Sequence, residues 1–178
     1  MHKRYLSTTL VLFILLFAID LGTVHAAEET VSSLAADARL EIIGPGITLT
    51  FSRGEMLEQP LEIFVCTHIS STGDVAEVEV AGFSLNDLLA KNRIDLANIA
   101  SINFIASDGY VMSAPAETFA NTSVYIMLSR DEKGLNYPRS CIPDQRSMYW
   151  VKNLLTIELI PNEVFDLQTA SRVKRPIM

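Results

Sequence analysis

Short apolar segments of strand length, each closed off by turn residues, recur along almost the whole chain, and helical periodicity appears only in brief stretches. Residues 61–67 (LEIFVCT) alternate between two faces, with Leu61, Ile63, Val65 and Thr67 on one and Glu62, Phe64 and Cys66 on the other. Residues 75–80 (VAEVEV) read as a half-exposed strand whose Glu77 and Glu79 face water. Further strands are expected at 40–43 and 47–51, across Gly44-Pro45-Gly46, and at 100–106, 110–113 and 123–128. Asp108-Gly109 is a strong hairpin signal between two of them. The helical signals are short: Ser52 with Glu55 forms a capping-box pattern ended by Pro60, Ser84 caps residues 85–91 with Leu85, Leu88 and Leu89 as the apolar stripe, and Pro115 opens a turn through Phe119. A charged turn is expected at 130–134, an irregular proline-containing stretch at 138–145, and a last hairpin from 148–151 and 155–160 before Pro161. These elements make one α+β domain, a mixed β-sheet with short helices, and exclude a helical bundle or a repeat array.

The first 26 residues read as a signal peptide. Lys3 and Arg4 give the positive start, residues 10–18 (LVLFILLFA) the apolar stretch, and Val24-His25-Ala26 the cleavage pattern. A spanning helix needs about 20 apolar residues, and Asp20 interrupts this run well before that. The expected organisation is a signal peptide at 1–26, a flexible leader at 27–37, the folded domain at 38–160 and a C-terminal tail at 161–178. The expected location is periplasmic or secreted, with no stable membrane insertion after cleavage. Removing Lys3, Arg4 and Asp20 takes the formal charge from −7 to −8, which disfavours nucleic acid as a partner. Arg172, Lys174 and Arg175 make the tail locally basic and read as a solvated end.

Chemistry-bearing residues are sparse. Cys66 and Cys141 are the two cysteines, and three readings stay open: a disulfide between them, two free buried thiols, or a functional thiolate or metal ligand. His68 is the one histidine outside the signal peptide; a Cys-x-His pair is too little for a typical transition-metal site. No GxSxG, GxGxxG or GxxxxGK[ST] pattern occurs, so neither a serine-hydrolase elbow nor a nucleotide fingerprint is present. Asn121-Thr122-Ser123 fits a glycosylation acceptor. The densest polar set lies between Tyr137 and Lys152. Within it Arg139, Arg146, Tyr149 and Lys152 are the candidate ligand contacts, since arginine forks suit carboxylate or phosphate. The opposing reading pairs Arg139 and Arg146 with Asp144 and other acids to lock an irregular loop.

Four motifs occur in a suggestive order: Gly82-Phe83-Ser84-Leu85-Asn86-Asp87-Leu88-Leu89, Ser107-Asp108-Gly109-Tyr110, Pro138-Arg139-Ser140-Cys141-Ile142-Pro143, and Tyr149-Trp150-Val151-Lys152-Asn153-Leu154-Leu155-Thr156-Ile157-Glu158-Leu159. In this order the chain resembles the oxidoreductase molybdopterin-binding domain of the sulfite oxidase family, especially its short exported stand-alone members, over about residues 38–160. The resemblance implies a mixed-sheet fold around a molybdenum–pterin cofactor, with a cysteine thiolate on the metal and basic groups on the pterin phosphate. Carried over, Cys66 is the candidate metal ligand, 16 positions before Gly82, and Cys141 falls where an aliphatic residue is usual. The chain departs from the family's enzymes in its missing basic N-terminal segment and its ordinary, not twin-arginine, leader. The expectation is therefore an exported binding protein of this fold without the cofactor, more a binder than an enzyme. Its partner would be a small anionic ligand or a periplasmic protein. The alternative is a periplasmic molybdenum–pterin oxidoreductase using Cys66 as metal ligand and an external electron-transfer partner.

Overall fold

Local chemistry sets most element boundaries in the computed structural model, which describes residues 33–162. The expected signal peptide, residues 27–32 of the leader and the basic tail lie outside the described residues. Strands β1 (Arg39–Gly44) and β2 (Ile47–Ser52) form a hairpin whose turn uses Gly46 at φ +71°. Helix α1 (Arg53–Leu57) begins with the expected capping box: the Ser52 side chain accepts from the Glu55 amide and the Glu55 carboxylate accepts from the Ser52 amide. Strands β3 (Glu62–Ile69) and β4 (Val75–Ser84) pair antiparallel, and Ser84 caps α2 (Leu85–Lys91), which buries Leu85, Leu88 and Leu89. Strands β5 (Ile99–Ala106) and β6 (Val111–Pro115) form the Asp108-Gly109 hairpin, followed by α3 (Ala116–Phe119). Strands β7 (Tyr125–Arg130), β8 (Lys133–Cys141) and β9 (Leu154–Pro161) complete the fold.

The strands make two sheets. One runs β2-β1-β9-β5-β6, antiparallel except for the parallel β1/β9 pair; the other runs β3-β4-β7-β8 and is antiparallel throughout. The main core joins the inner faces of β1, β5 and β9 (Leu40, Ile42, Ile102, Phe104, Ile157) to α2 and to Phe83, Ile126 and Leu128 of the second sheet. A smaller cluster of Cys66, Val78, Val80, Met127, Cys141 and Trp150 fills the other face of the second sheet. Strand β4 therefore serves both clusters, Val78 and Val80 on one face and Ala81 and Phe83 on the other, and its pairing with β7 is interrupted by a bulge at Ala81/Gly82.

Three expectations are corrected. Residues 148–151 and 155–160 are not a hairpin: Ser147–Tyr149 is a 3-10 turn, and β9 instead inserts between β1 and β5. The apolar alternation of β9 is as well satisfied by a buried central position as by a local hairpin. The stretch from Pro138 is not irregular throughout, because β8 extends to Cys141. Its pairing jumps from Ser129↔Gly134 to Met127↔Arg139, so Pro138 lies in an extruded bulge where its missing N–H breaks no ladder bond. Residues 33–37, expected as the end of a flexible leader, are docked on that bulge. Leu34 is buried, the Ala35 amide donates to the Asn136 carbonyl (2.8 Å), and the Tyr137 hydroxyl donates to Asp37 (3.2 Å).

Candidate functional site

The site grows from the alternation of β3. Its register (Phe64↔Val80, Cys66↔Val78, His68↔Ala76) turns Phe64, Cys66 and His68 toward the small cluster, and the aliphatic face of Ile63 and Val65 is left exposed. On the far side of the sheet, Met127↔Arg139 and Tyr125↔Cys141 set the inner positions of β7 and β8. β3 and β8 are the two edge strands, yet the sheet curls until they approach across the concave face. The Thr67 amide donates to the Asp144 carboxylate (3.0 Å), and Ile69 forms a parallel bridge with Arg146, so the segment after β8 closes against β3.

That closing segment carries Trp150. The Ser140 hydroxyl accepts from the Val151 amide (2.8 Å) and donates to the Tyr149 carbonyl (2.9 Å), while the Trp150 indole donates to the Ile142 carbonyl (3.1 Å). Trp150 is thus fixed over the cluster, 4% exposed, with His68 edge-on at 4.8 Å and the Arg130 guanidinium 5.9 Å from the ring centroid. Arg130 is aimed by its own turn. Asp131 and Glu132 both take left-handed φ (51° and 59°), the Asp131 carboxylate accepts from the Glu79 amide (3.1 Å), and the Asp131–Arg130 ion pair spans 3.2 Å.

Arg139 is the unusual member. Its Nε is buried and has no hydrogen-bond partner among the described residues. Burial, followed by the facing Arg130 charge, lowers its pKa, with the Cys141 sulfur opposing. No carboxylate forms an ion pair with it among the described residues; the Asp144 that was expected to do so is occupied by the Thr67 amide. His68 sits in the same cationic surroundings: burial first, then Arg130 and Arg139, hold its pKa below the ordinary histidine value, and Asp131 opposes. Two guanidiniums and an imidazole therefore converge beside an indole face, on a chain whose net charge is −7.

The lowered His68 pKa has a sign that can be checked. The unfolded chain accepts a proton near pH 6.5 that the folded chain still refuses, so stability declines as pH falls from about 6.5 toward the lower folded value. Denaturant midpoints at pH 7.5 and 5.5 are expected to show a small decline that His68→Gln removes. An equal decline in the variant would assign the effect to other groups.

Of the four candidate contacts, the structure brings only Arg139 into this cluster as a charged group. Tyr149 is half-buried and packs against both cores. Arg146 and Lys152 are exposed, and no side-chain hydrogen bond or ion pair involves them among the described residues. Arg130, His68 and Trp150 were not among the candidates. Arg130 falls in the charged turn expected at 130–134 and His68 lies one residue past the strand expected at 61–67, although strict alternation from Phe64 and Cys66 reaches His68 on the same face. The two cysteines meet as free thiols: the hydrogen bond from Cys141 chiefly lowers the pKa of Cys66, which burial and Asp144 oppose and Arg130 reinforces, whereas Cys141 is pushed far up by that same bond and by its burial.

A large open groove of about 760 Å³ lies elsewhere, lined by residues that include Asn86, Asp95, Phe119, Asn121, Ser123 and Asn162, and it shares no residue with the Arg139 cluster. Volume and chemistry disagree here. The groove's polar groups are partly spent on the fold, since the Asn86 side chain accepts from the Val124 amide and the Asn162 side chain donates to the Ala97 carbonyl. The buried Arg139 Nε without an acceptor is the stronger pointer to a ligand.

No family model matches the sequence, and no curated protein matches it. Among solved structures, the chain is similar to the sulfane dehydrogenase SoxCD from Paracoccus pantotrophus, with a TM-score of 0.61 and 17% identity over 71% of this chain. The match covers 39% of that chain, so this protein corresponds to well under half of it. At that identity the likeness shows the fold: mixed sheets with few short helices, distantly similar to the molybdopterin-domain fold expected from the motifs.

Proposed function

We propose that this is an exported, soluble binding protein that holds a small anion between Arg139 and Arg130 on the concave face of the second sheet, and that it works without a metal–pterin group. One observation carries the reading: the Arg139 Nε is buried with no acceptor, next to a second guanidinium. An oxyanion or small carboxylate would accept from both forks and offset a desolvation that no protein group offsets. Trp150 and His68 would wall the ligand, and Arg146 and Lys152 would add only long-range charge.

The residues fit a metal–pterin group poorly. Cys66, the candidate metal ligand, is 8% exposed, hydrogen-bonded to Cys141 and packed in the Trp150 cluster. The fold likeness is what favours the competing oxidoreductase reading. About one molybdenum per chain in protein purified from its native host, lost on Cys66→Ala, would overturn the proposal.

The direct test is calorimetric titration with sulfate, sulfite, phosphate and small mono- and dicarboxylates. Arg139→Met is expected to weaken binding of the best anion by at least about tenfold, since hydrogen bonds to charged groups are worth roughly 1.5–3 kcal/mol. The same variant is expected to be as stable as the parent or slightly more so, because it removes an uncompensated polar group. Absence of binding across the panel, or binding indifferent to Arg139→Met, would refute the site.

A further inference from the structure

Cys66 and Cys141 occupy inner positions of the two edge strands of one sheet, separated by 75 positions in sequence and joined in one buried cluster. Both are free thiols and both are buried in that cluster. Their burial is unequal: Cys66 retains 8% exposure while Cys141 has none. Outside the anion site proposed above, no other nucleophilic pair of this kind occurs among the described residues. We infer that Cys66 and Cys141 form a reversible dithiol–disulfide site, in which Cys66 exchanges with a small-molecule disulfide and Cys141 resolves the adduct to staple β3 to β8.

The chemistry balances with one equivalent of a disulfide oxidant, RSSR. The Cys66 thiolate attacks one sulfur of RSSR, forming a Cys66–SR mixed disulfide and releasing RS⁻. Cys141, losing its proton, attacks the Cys66 sulfur, which forms the Cys66–Cys141 bond and releases the second RS⁻. Two electrons pass from the cysteines to RSSR, and the two thiol protons end on two RSH. Cys66 suits the first step because it is the less buried of the two. Cys141 suits the second because it lies fully buried in the same cluster, where an adduct on Cys66 is its nearest electrophile.

The staple would also close the curl of the sheet. Linking residues so far apart in sequence removes much loop entropy from the unfolded chain, and a rise in melting temperature of about 10 °C is expected on oxidation.

The experiment uses the full chain, reduced and native, incubated with oxidised glutathione over a range of glutathione ratios, then acid-quenched, alkylated and weighed. The expected product has lost two hydrogens and both alkylatable thiols, carries no glutathione, and returns to the dithiol with excess reduced glutathione. Cys141→Ser, with Cys141→Ala as a second variant in case the first folds poorly, is expected to trap glutathione on Cys66. Cys66→Ser is expected to leave Cys141 unmodified in the native state. A native chain that keeps both thiols in excess oxidised glutathione, or that stops at a stable glutathione adduct, would overturn the inference. Neither result depends on whether an anion binds at Arg139.

Discussion

Replacing Gly82 with alanine is expected to cost about 3 kcal/mol of folding stability, near the upper end of the usual range for overpacking. A Cβ built on Gly82 would collide with the Ile126 carbonyl oxygen and stand 2.9 Å from both the Ile126 carbonyl carbon and the Met127 Cα. All three obstacles are backbone, so no side chain can rotate away. The glycine is not required by a left-handed φ; it is required because β4 and β7 press together at the bulge. Urea unfolding followed by circular dichroism would read the loss as a lower midpoint at nearly unchanged slope. Serine should behave like alanine and valine worse. An alanine variant within 0.5 kcal/mol of the parent would show that the two strands part easily here, and the close approach would then not organise the sheet.

Truncating Trp150 to alanine is expected to remove about 4 kcal/mol, the range seen for large aromatic side chains deleted from packed cores. Trp150 is almost fully buried, caps the small cluster, and ties its segment to the chain through the indole hydrogen bond to Ile142. Phenylalanine should separate the contributions. It keeps most of the packing but removes the indole bond to the Ile142 carbonyl, which retains the Gln145 amide (3.3 Å), for an expected loss of about 1 kcal/mol. Because Trp150 is the sole tryptophan of the chain, its fluorescence in the parent reports directly on the Arg130–His68 neighbourhood. A Trp150→Ala variant as stable as the parent would mean that the concave cluster adds nothing to the fold.

Much of the architecture was legible in local sequence because the responsible interactions are themselves local. The Ser52–Glu55 box and the Ser84 cap satisfy amides three residues away, and Asp108-Gly109 supplies its own turn geometry. What was not legible depends on distant partners. The period of residues 61–67 defines two faces but not which is buried, and the polar-looking face with Cys66 and His68 turned inward because Trp150, some 80 residues later, covers it. Asp131 and Glu132 make a left-handed two-residue turn without glycine, held by the Glu79 backbone across the sheet. The extruded bulge ahead of Arg139 is stabilised by residues 33–37, whose composition suggested only a loose lead-in. Arg139 stands out in the sequence as a basic residue in an acidic chain. That its Nε would be buried without an acceptor is a property of the folded sheet and of no shorter segment.

The two faces of β4 divide labour along a single strand. Val78 and Val80 line the concave cluster, whereas Ala81 and Phe83 belong to the main core. Substitutions at 78 and 80 can therefore reshape the concavity without touching the main core, which makes this face a natural place to graft a new specificity onto an unchanged scaffold.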